Sequence, residues 1–477
     1  MIPAWKCPVP GEDFGKRLER RDTRRYPSIL SPSSLSSGRR VALITFGCAK
    51  NLVDSEVMLG YLSRAGYEIC PRPEEADILI LNTCGFIQPA RAEAGQGIRS
   101  ALAIKKERPD VTIAVTGCFV ERSRLELERK YPAVDVWLGV RDYDHIVEAL
   151  ERRPYRAGSR TYLLGPEAPR LVSTPSTWAY LKISEGCSHE CSFCSIPLIK
   201  GGYRSRTIGS IAAEARDLAR RGVKEINLVS QDTTYFGRDR GRAGDLIALL
   251  RRLSGLEGVH WIRLLYGYPE EITPPLLEAM KDPRICPYLD IPFQHADDRL
   301  LKLMGRGMNG GRALRLVERI RQALPGATIR TSLIVGFPGE GREEFRRLKD
   351  FVRRARFDHL GVFTYSREAG TGAGEMGDPV PQGEKVRRRK EIMALQAEIV
   401  ASIHRKYLHQ RLDVLIDPSA SAGGNGLAGR ARFQAPEVDG VVVIEPRSWP
   451  PGDSIRPIEK VEIISAGVYD LRGIVIR

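Results

Sequence analysis

The chain has 477 residues, 42% of them hydrophobic and 28% charged, which is about three domains of ordinary globular sequence and excludes both a small stapled scaffold and wholesale disorder. Its 74 Lys and Arg against 59 Asp and Glu leave a net charge of +15, a surplus that favours polyanionic company such as RNA or a ribosome. No run approaches roughly 18 consecutive apolar residues and no signal-like apolar segment stands near the start, so no membrane partner is indicated and a cytoplasmic location is expected.

Residues 1–40 mix Pro, Ser and Arg without apolar periodicity and read as a disordered leader. From Val41 to about residue 150, the runs VALITF, DILILN and VTIAVT alternate with helical patterns near 54–64 and 90–108 and a third beyond them. Continuous β-branched runs between helices indicate a doubly wound parallel sheet. Residues 151–177 read as a linker. A second α/β pattern fills 178–404, with strands WAYLKIS, EINLVSQ, HWIRLLY, YLDIPFQ, TIRTSLIVG and DHLGVFTY and a charged exit helix from 384. Six such strands with crossover helices imply a parallel partial barrel whose site lies at the strand C-terminal ends. Residues 405–477, with LDVLIDP, SAGGNG, VVVIEP and YDLRGIVIR, imply a small antiparallel barrel.

Nine cysteines in a large chain of the expected compartment are metal ligands, catalytic groups or core thiols rather than disulfide partners. Cys187, Cys191 and Cys194 form C-x3-C-x2-C directly after the first barrel strand. Three thiolates leave one iron of a 4Fe-4S cluster open for a substrate or cofactor; the bland alternative is a zinc knuckle or chance clustering. Cys48, Cys84 and Cys118 each fall just past a strand of the first sheet, whose C-terminal ends share one edge. Topology alone leaves two readings of this trio, a second open cluster or three unrelated buried thiols. Cys70 and Cys286 read as small core hydrophobes, and Cys7 lies in the leader. The run VRRRK at 386–390 reads as a solvated helix face.

The three-cysteine motif, with Phe193 beside its last cysteine, resembles that of the radical S-adenosylmethionine (SAM) superfamily. FGCAKNLVDSE, NTCGFIQPA and VTGC, together with it, resemble the methylthiotransferases from about Val41 to Arg477. YLKISEGCSHECSFCSIP, LVSQDTTYFG, YLDIPFQHADDRLLKLMGR, IVGFPGE and APEVDG are similar to the branch that methylthiolates an aspartate of small-subunit ribosomal protein S-twelve. The resemblance implies an α/β fold: an N-terminal doubly wound parallel sheet domain, a radical SAM partial (βα)6 TIM-like barrel and a C-terminal TRAM β-barrel. It implies two 4Fe-4S clusters, one on Cys187, Cys191 and Cys194 and one on Cys48, Cys84 and Cys118, with SAM used both as methyl donor and as radical source. It also implies an electron donor such as flavodoxin or ferredoxin.

Phe193 is expected near the adenine of SAM, and Ser230, Gln231, Asp232 and Gln294 are strand-end candidates for SAM or substrate contact, the alternative being strand-end capping. Gly336 and Gly339 are expected to form a tight turn near the cofactor or a plain loop turn, and His189 and His295 to be polar mouth residues. Residues 411–477 carry eight basic and nine acidic groups, which suits a basic ribosomal protein better than phosphates and leaves direct nucleic-acid contact open. Two rivals remain: a methylthiotransferase acting on tRNA adenosine, and a non-enzymatic iron-sulfur protein that carries electrons or docks on RNA.

Overall fold

The computed structural model describes residues 38–421, 427–445 and 455–476. The expected leader, with Cys7, falls almost wholly outside these residues, as does most of the SAGGNG loop. Among the described residues no helix is long and apolar enough to cross a membrane.

The first sheet comprises β1 (Arg40–Thr45), β2 (Glu68–Ile69), β3 (Ile78–Thr83), β4 (Thr112–Gly117) and β5 (Val136–Leu138), all parallel, in the order β2-β1-β3-β4-β5. Sequence reading found β1, β3 and β4 and missed the short edge strands β2 and β5. In β3 the alternation is apolar on both faces: Ile78 and Ile80 pack towards the helix Ala49–Arg64, while Leu79 and Leu81 pack towards Gln88–Glu107 and Cys118–Lys130. Helices therefore cover both faces, as a doubly wound sheet requires. The first helix begins at Ala49, five residues earlier than expected. Its extra turn is held by tertiary packing, because Ala49, Val53 and Val57 bury against Trp178, Tyr180 and Tyr266 of the second domain.

The central sheet runs β6 (Trp178–Lys182), β9 (Glu225–Val229), β10 (Trp261–Leu264), β11 (Ile285–Asp290), β12 (Thr328–Val335) and β13 (His359–Thr364) in simple spatial sequence, all parallel and not closed. A two-stranded ribbon, β7 (Ser184–Glu185) with β8 (Arg204–Ser205), extends from its first strand. Ala179, Leu181, Ile262, Leu264, Ile329 and Leu333 join the aliphatic core on the convex side beneath the crossover helices. The alternate positions Tyr180, Arg263, Tyr288 and Arg330 fall on the concave side, and they are polar or aromatic because another domain meets them there. Residues 151–177 contain no helix or strand, yet the segment is packed: Arg170 pairs with Glu56 and Glu214, each at 2.6 Å.

The C-terminal barrel closes as β14 (Arg411–Ser421), β15 (Leu427–Ala431), β16 (Val442–Ile444), β18 (Leu471–Val475) and β17 (Ile458–Ala466). It is not wholly antiparallel as expected. β16 and β18 pair in parallel, because the chain crosses over through β17 before returning. The APEVDG turn docks this barrel on the concave face: Tyr180 Oη donates to Glu437 at 2.9 Å, and Asp439 accepts from Arg330 and from Tyr288 Oη, each at 2.6 Å. Arg430 reaches Glu225 at 2.6 Å, and Glu225 also holds Arg263 at 2.9 Å. Several charges counted above towards an external partner are therefore spent inside the molecule.

Burial opposes ionisation of Asp439, but His359 and Arg330 outweigh it and hold its carboxyl below the ordinary range. Replacing Asp439 by Ala leaves buried Arg330 with the more distant Asp290, at 3.8 Å, as its remaining carboxylate, and the expected cost in urea denaturation is about 3 kcal/mol. A change at exposed Glu343 is expected to stay within about 0.5 kcal/mol. The Asp439 contribution is fully present above the unfolded carboxyl value and is lost as pH falls through the lower folded one. The gap between D439A and the parent protein should therefore narrow in acid.

Candidate active site

Cys48 precedes the helix Ala49–Arg64, Cys84 follows β3, and Cys118 opens the helix after β4. β1, β3 and β4 are neighbours in register, with Thr45 beside Asn82 and Thr83 beside Gly117, so the three cysteines share one sheet edge. Asn51 links them. Its Nδ2 donates to the carbonyls of Phe46 at 3.1 Å and Thr83 at 3.4 Å, and its Oδ1 lies 4.0 Å from Cys48 Sγ and 3.7 Å from Cys118 Sγ. Two glycines permit the approach. Gly47 at φ +95° and Gly117 at φ +102° occupy backbone that side chains disfavour, and a Cβ would lie 2.7 Å from Cys84 Cβ at the first and 2.5 Å from the Thr83 carbonyl at the second.

Cys187, Cys191 and Cys194 line a single cavity at the C-terminal end of the central strands, and Phe86, from the loop after Cys84, lines it too. Phe193, Gln231 and Asp232 are on its wall. Ser230 and Gln294 are buried but do not line it: Ser230 Oγ accepts from Asp232 N at 2.9 Å, and Gln294 sits at φ +71° where its backbone bridges to Leu333. Asp232 divides its carboxylate. One oxygen accepts from the N–H groups of Thr234 and Tyr235, the strand-end turn foreseen as an alternative, and the other meets His189 Nε2 at 2.6 Å.

His189 is a mouth residue, stacked 3.7 Å from Tyr268. His295 is not; it is fully buried, and burial lowers its pKa to about 4. The Gly336–Gly339 turn also lies off the cavity, folded round Glu340, whose carboxylate accepts from Gly336 N and pairs with Arg388 at 2.9 Å. Arg388 is thus buried, so VRRRK is only partly a solvated face. Cys70 and Cys286 are core thiols as expected.

Sequence reasoning missed four features here. Arg306 stands 3.5 Å from Cys191 Sγ and over the Tyr268 ring at 4.2 Å; it closes the motif ending LMGR and could have been noted there. Lys50, two residues beyond Cys48, lies 3.6 Å over the ring of Tyr266, another cavity-wall residue. A buried quartet underlies both cysteine groups: Lys182 pairs with Asp54 and with Glu185 at 2.8 Å, and Lys200 lies 3.5 Å from Asp54 and 3.4 Å from Glu185. Burial alone would raise the Glu185 pKa, but the two ammoniums hold it at about 2. Finally, Glu368 knots the domains together, accepting from Arg91 at 2.5 Å and Arg122 at 2.9 Å, while Arg122 also binds the carbonyls of Gly85 and Phe86 and Ser195 Oγ. No sequence periodicity could reveal pairs up to 280 residues apart.

The donors suit iron-sulfur cores. Among the described residues no three Cys, His, Asp or Glu side chains are arranged to hold a single metal ion, whereas a cluster takes one thiolate per iron and asks for a wider triangle. Burial pushes the thiol pKa up to about 12 at Cys118 and Cys194 and about 11 at Cys187, and raises Cys84 as well, with further contributions from neighbouring cysteines. Bound iron would supply the positive charge that these thiolates need. Gln231 adds a buried Oε1 that lacks a hydrogen-bond partner among the described residues, beside a Nε2 fixed 2.8 Å from Glu185.

Family models match the three regions: Uncharacterized protein family UPF0004 over residues 40–139, the Radical SAM superfamily over 181–352 and the TRAM domain over 410–476. The fold resembles the apo form of the cobalamin-dependent S-adenosylmethionine radical enzyme OxsB, at TM-score 0.52 and 13% identity over 75% of this chain and 56% of that one. The class is therefore that of radical SAM proteins, α/β chains ending in a TRAM barrel. Ribosomal protein uS12 methylthiotransferase RimO of Aquifex aeolicus is 45% identical over 91% of this chain and 96% of its own, and that of Pelobacter propionicus 42% over 91% and 97%. The chain belongs to the RimO family.

The raised thiols give a direct test on metal-free protein. At pH 8, Cys84, Cys118 and Cys194 should react with iodoacetamide on the order of 10²-fold more slowly than in urea, because little thiolate is present. Mass-spectrometric footprinting should show Cys187 catching up first as pH rises. Equal rates in folded and unfolded protein would contradict the burial described.

Proposed function

We propose that this chain is a two-cluster methylthiotransferase that replaces a hydrogen on the β-carbon of an aspartate in ribosomal protein uS12 by a methylthio group, in the cytoplasm. The observation that carries this reading is that Phe86, two residues beyond Cys84 on the same loop, lines the cavity that holds Cys187, Cys191 and Cys194. Unactivated C–H substitution needs a radical source and a sulfur donor side by side, since no side-chain base could deprotonate that carbon. Cys187, Cys191 and Cys194 would hold one 4Fe-4S cluster and Cys48, Cys84 and Cys118 the other. When bound, the first with SAM supplies a 5′-deoxyadenosyl radical and the second carries the sulfur.

The remaining groups have positioning roles. Asn51 fixes the spacing of Cys48 and Cys118. Phe193, Gln231 and Asp232 form the wall against which SAM would lie, with Asp232 orienting His189 and through it the face of Tyr268. Arg306 offsets negative charge at Cys191. The Glu368 knot ties the Gly85–Phe86 loop to the central domain beside the chamber. Electrons would come from a small carrier such as flavodoxin or ferredoxin.

Anaerobic reconstitution is expected to give about eight irons per chain, and either C48A or C187A about half of that. Mass spectrometry of a deletion strain should show uS12 lacking one methylthio group. Loss of a methylthioadenosine from tRNA, with uS12 unchanged, would favour the rival substrate; four irons in the parent protein would overturn the two-cluster reading.

A further inference from the structure

Four lysines are buried among the described residues: Lys50, Lys182, Lys200 and Lys385. Three of them have carboxylates. Lys182 and Lys200 share Asp54 and Glu185, and Lys385 meets Asp378 at 2.5 Å. Lys50 differs. Only 4% exposed, its Nζ has no hydrogen-bond partner among the described residues and rests over the Tyr266 ring at 3.6 Å.

A ring face attracts an ammonium but accepts no N–H bond in the ordinary sense, so the three donors of this cation remain unanswered in a site largely closed to water. Such a charge is costly unless an anion arrives to meet it. Position says which anion. Lys50 is held on the first turn of the helix that begins after Cys48, and Tyr266 is a wall of the cavity containing Cys187, Cys191 and Cys194. The ammonium therefore packs against the Tyr266 wall of that cavity from the side of the Cys48 loop, next to where the target carbon would lie. If the proposed function holds, that carbon is one bond from a carboxylate.

The geometry points to Lys50 as the residue that binds the side-chain carboxylate of the substrate aspartate. A charge-assisted bond between the two fixes the β-carbon between the cysteine trios, and it selects an acidic side chain over a neutral isostere. The same quartet that satisfies Lys182 and Lys200 keeps Asp54 and Glu185 occupied, so neither is spare to neutralise Lys50.

The test uses reconstituted holoenzyme held anaerobically with SAM and without reductant, and measures its affinity for purified unmodified uS12 and for uS12 with the methylthiolated aspartate changed to Asn. The parent enzyme is expected to bind the Asp form roughly 10- to 100-fold more tightly than the Asn form. Lys50→Met should bind both forms alike, and Lys50→Arg should restore part of the preference. Iron content is measured alongside as the control for loading.

Equal binding of the two forms by the parent enzyme overturns the inference, a result that needs no variant to fold. A preference that persists in K50M, loaded to the parent's iron content, overturns it as well; Lys50 would then serve only to offset thiolate charge. Absence of any uS12 modification by active enzyme would instead remove the proposed function itself, so the two failures are distinct.

Discussion

The structure depends on placing the C-terminal edges of two parallel sheets opposite one another and keeping them there. Parallel sheets gather loops at that edge, and each sheet here carries three cysteines on its loops. What aligns the edges is a buried, charge-balanced contact: Asp54 from the N-terminal domain inserts between Lys182 and Lys200 of the barrel, with Glu185 completing the set. Ions out of water are expensive to bury, and removing one leaves the others uncompensated. The arrangement therefore tolerates little sliding between the domains.

The concave face of the central sheet shows the same economy. An open six-stranded barrel leaves an interior to fill, and two neighbours fill it. The helix Ala49–Arg64 supplies Ala49, Val53 and Val57 near the cysteine-bearing end, and the C-terminal barrel supplies Leu415 and Ala435 with the charges of Arg430 and Asp439. All three domains thus share one interior. The TRAM barrel is anchored by buried ion pairs rather than tethered by a linker, so its outer surface keeps a fixed attitude to the chamber.

Much of this was legible in the sequence. The runs ending before Cys48, Cys84 and Cys118 announced three adjacent parallel strands, and C-x3-C-x2-C after WAYLKIS announced the barrel mouth. What periodicity could not supply was pairing across hundreds of residues. Ser230 and Gln294 end strands just as Gln231 and Asp232 do, yet only the latter pair reaches the cavity, because alternation and a positive φ turn the former away. Charge totals misled for a related reason: they count Arg430 and Asp439 as free when both are spent on the barrel. Lys50 carried no signal until Tyr266 was found against it.

The central claim is that each cysteine trio grips its own iron-sulfur core on either side of one chamber. Iron anomalous scattering from crystals of the anaerobically reconstituted protein tests it most directly. Two iron peaks should flank the cavity, one beside Cys48, Cys84 and Cys118 and one beside Cys187, Cys191 and Cys194. A single peak, or a second one away from the first trio, would contradict the account.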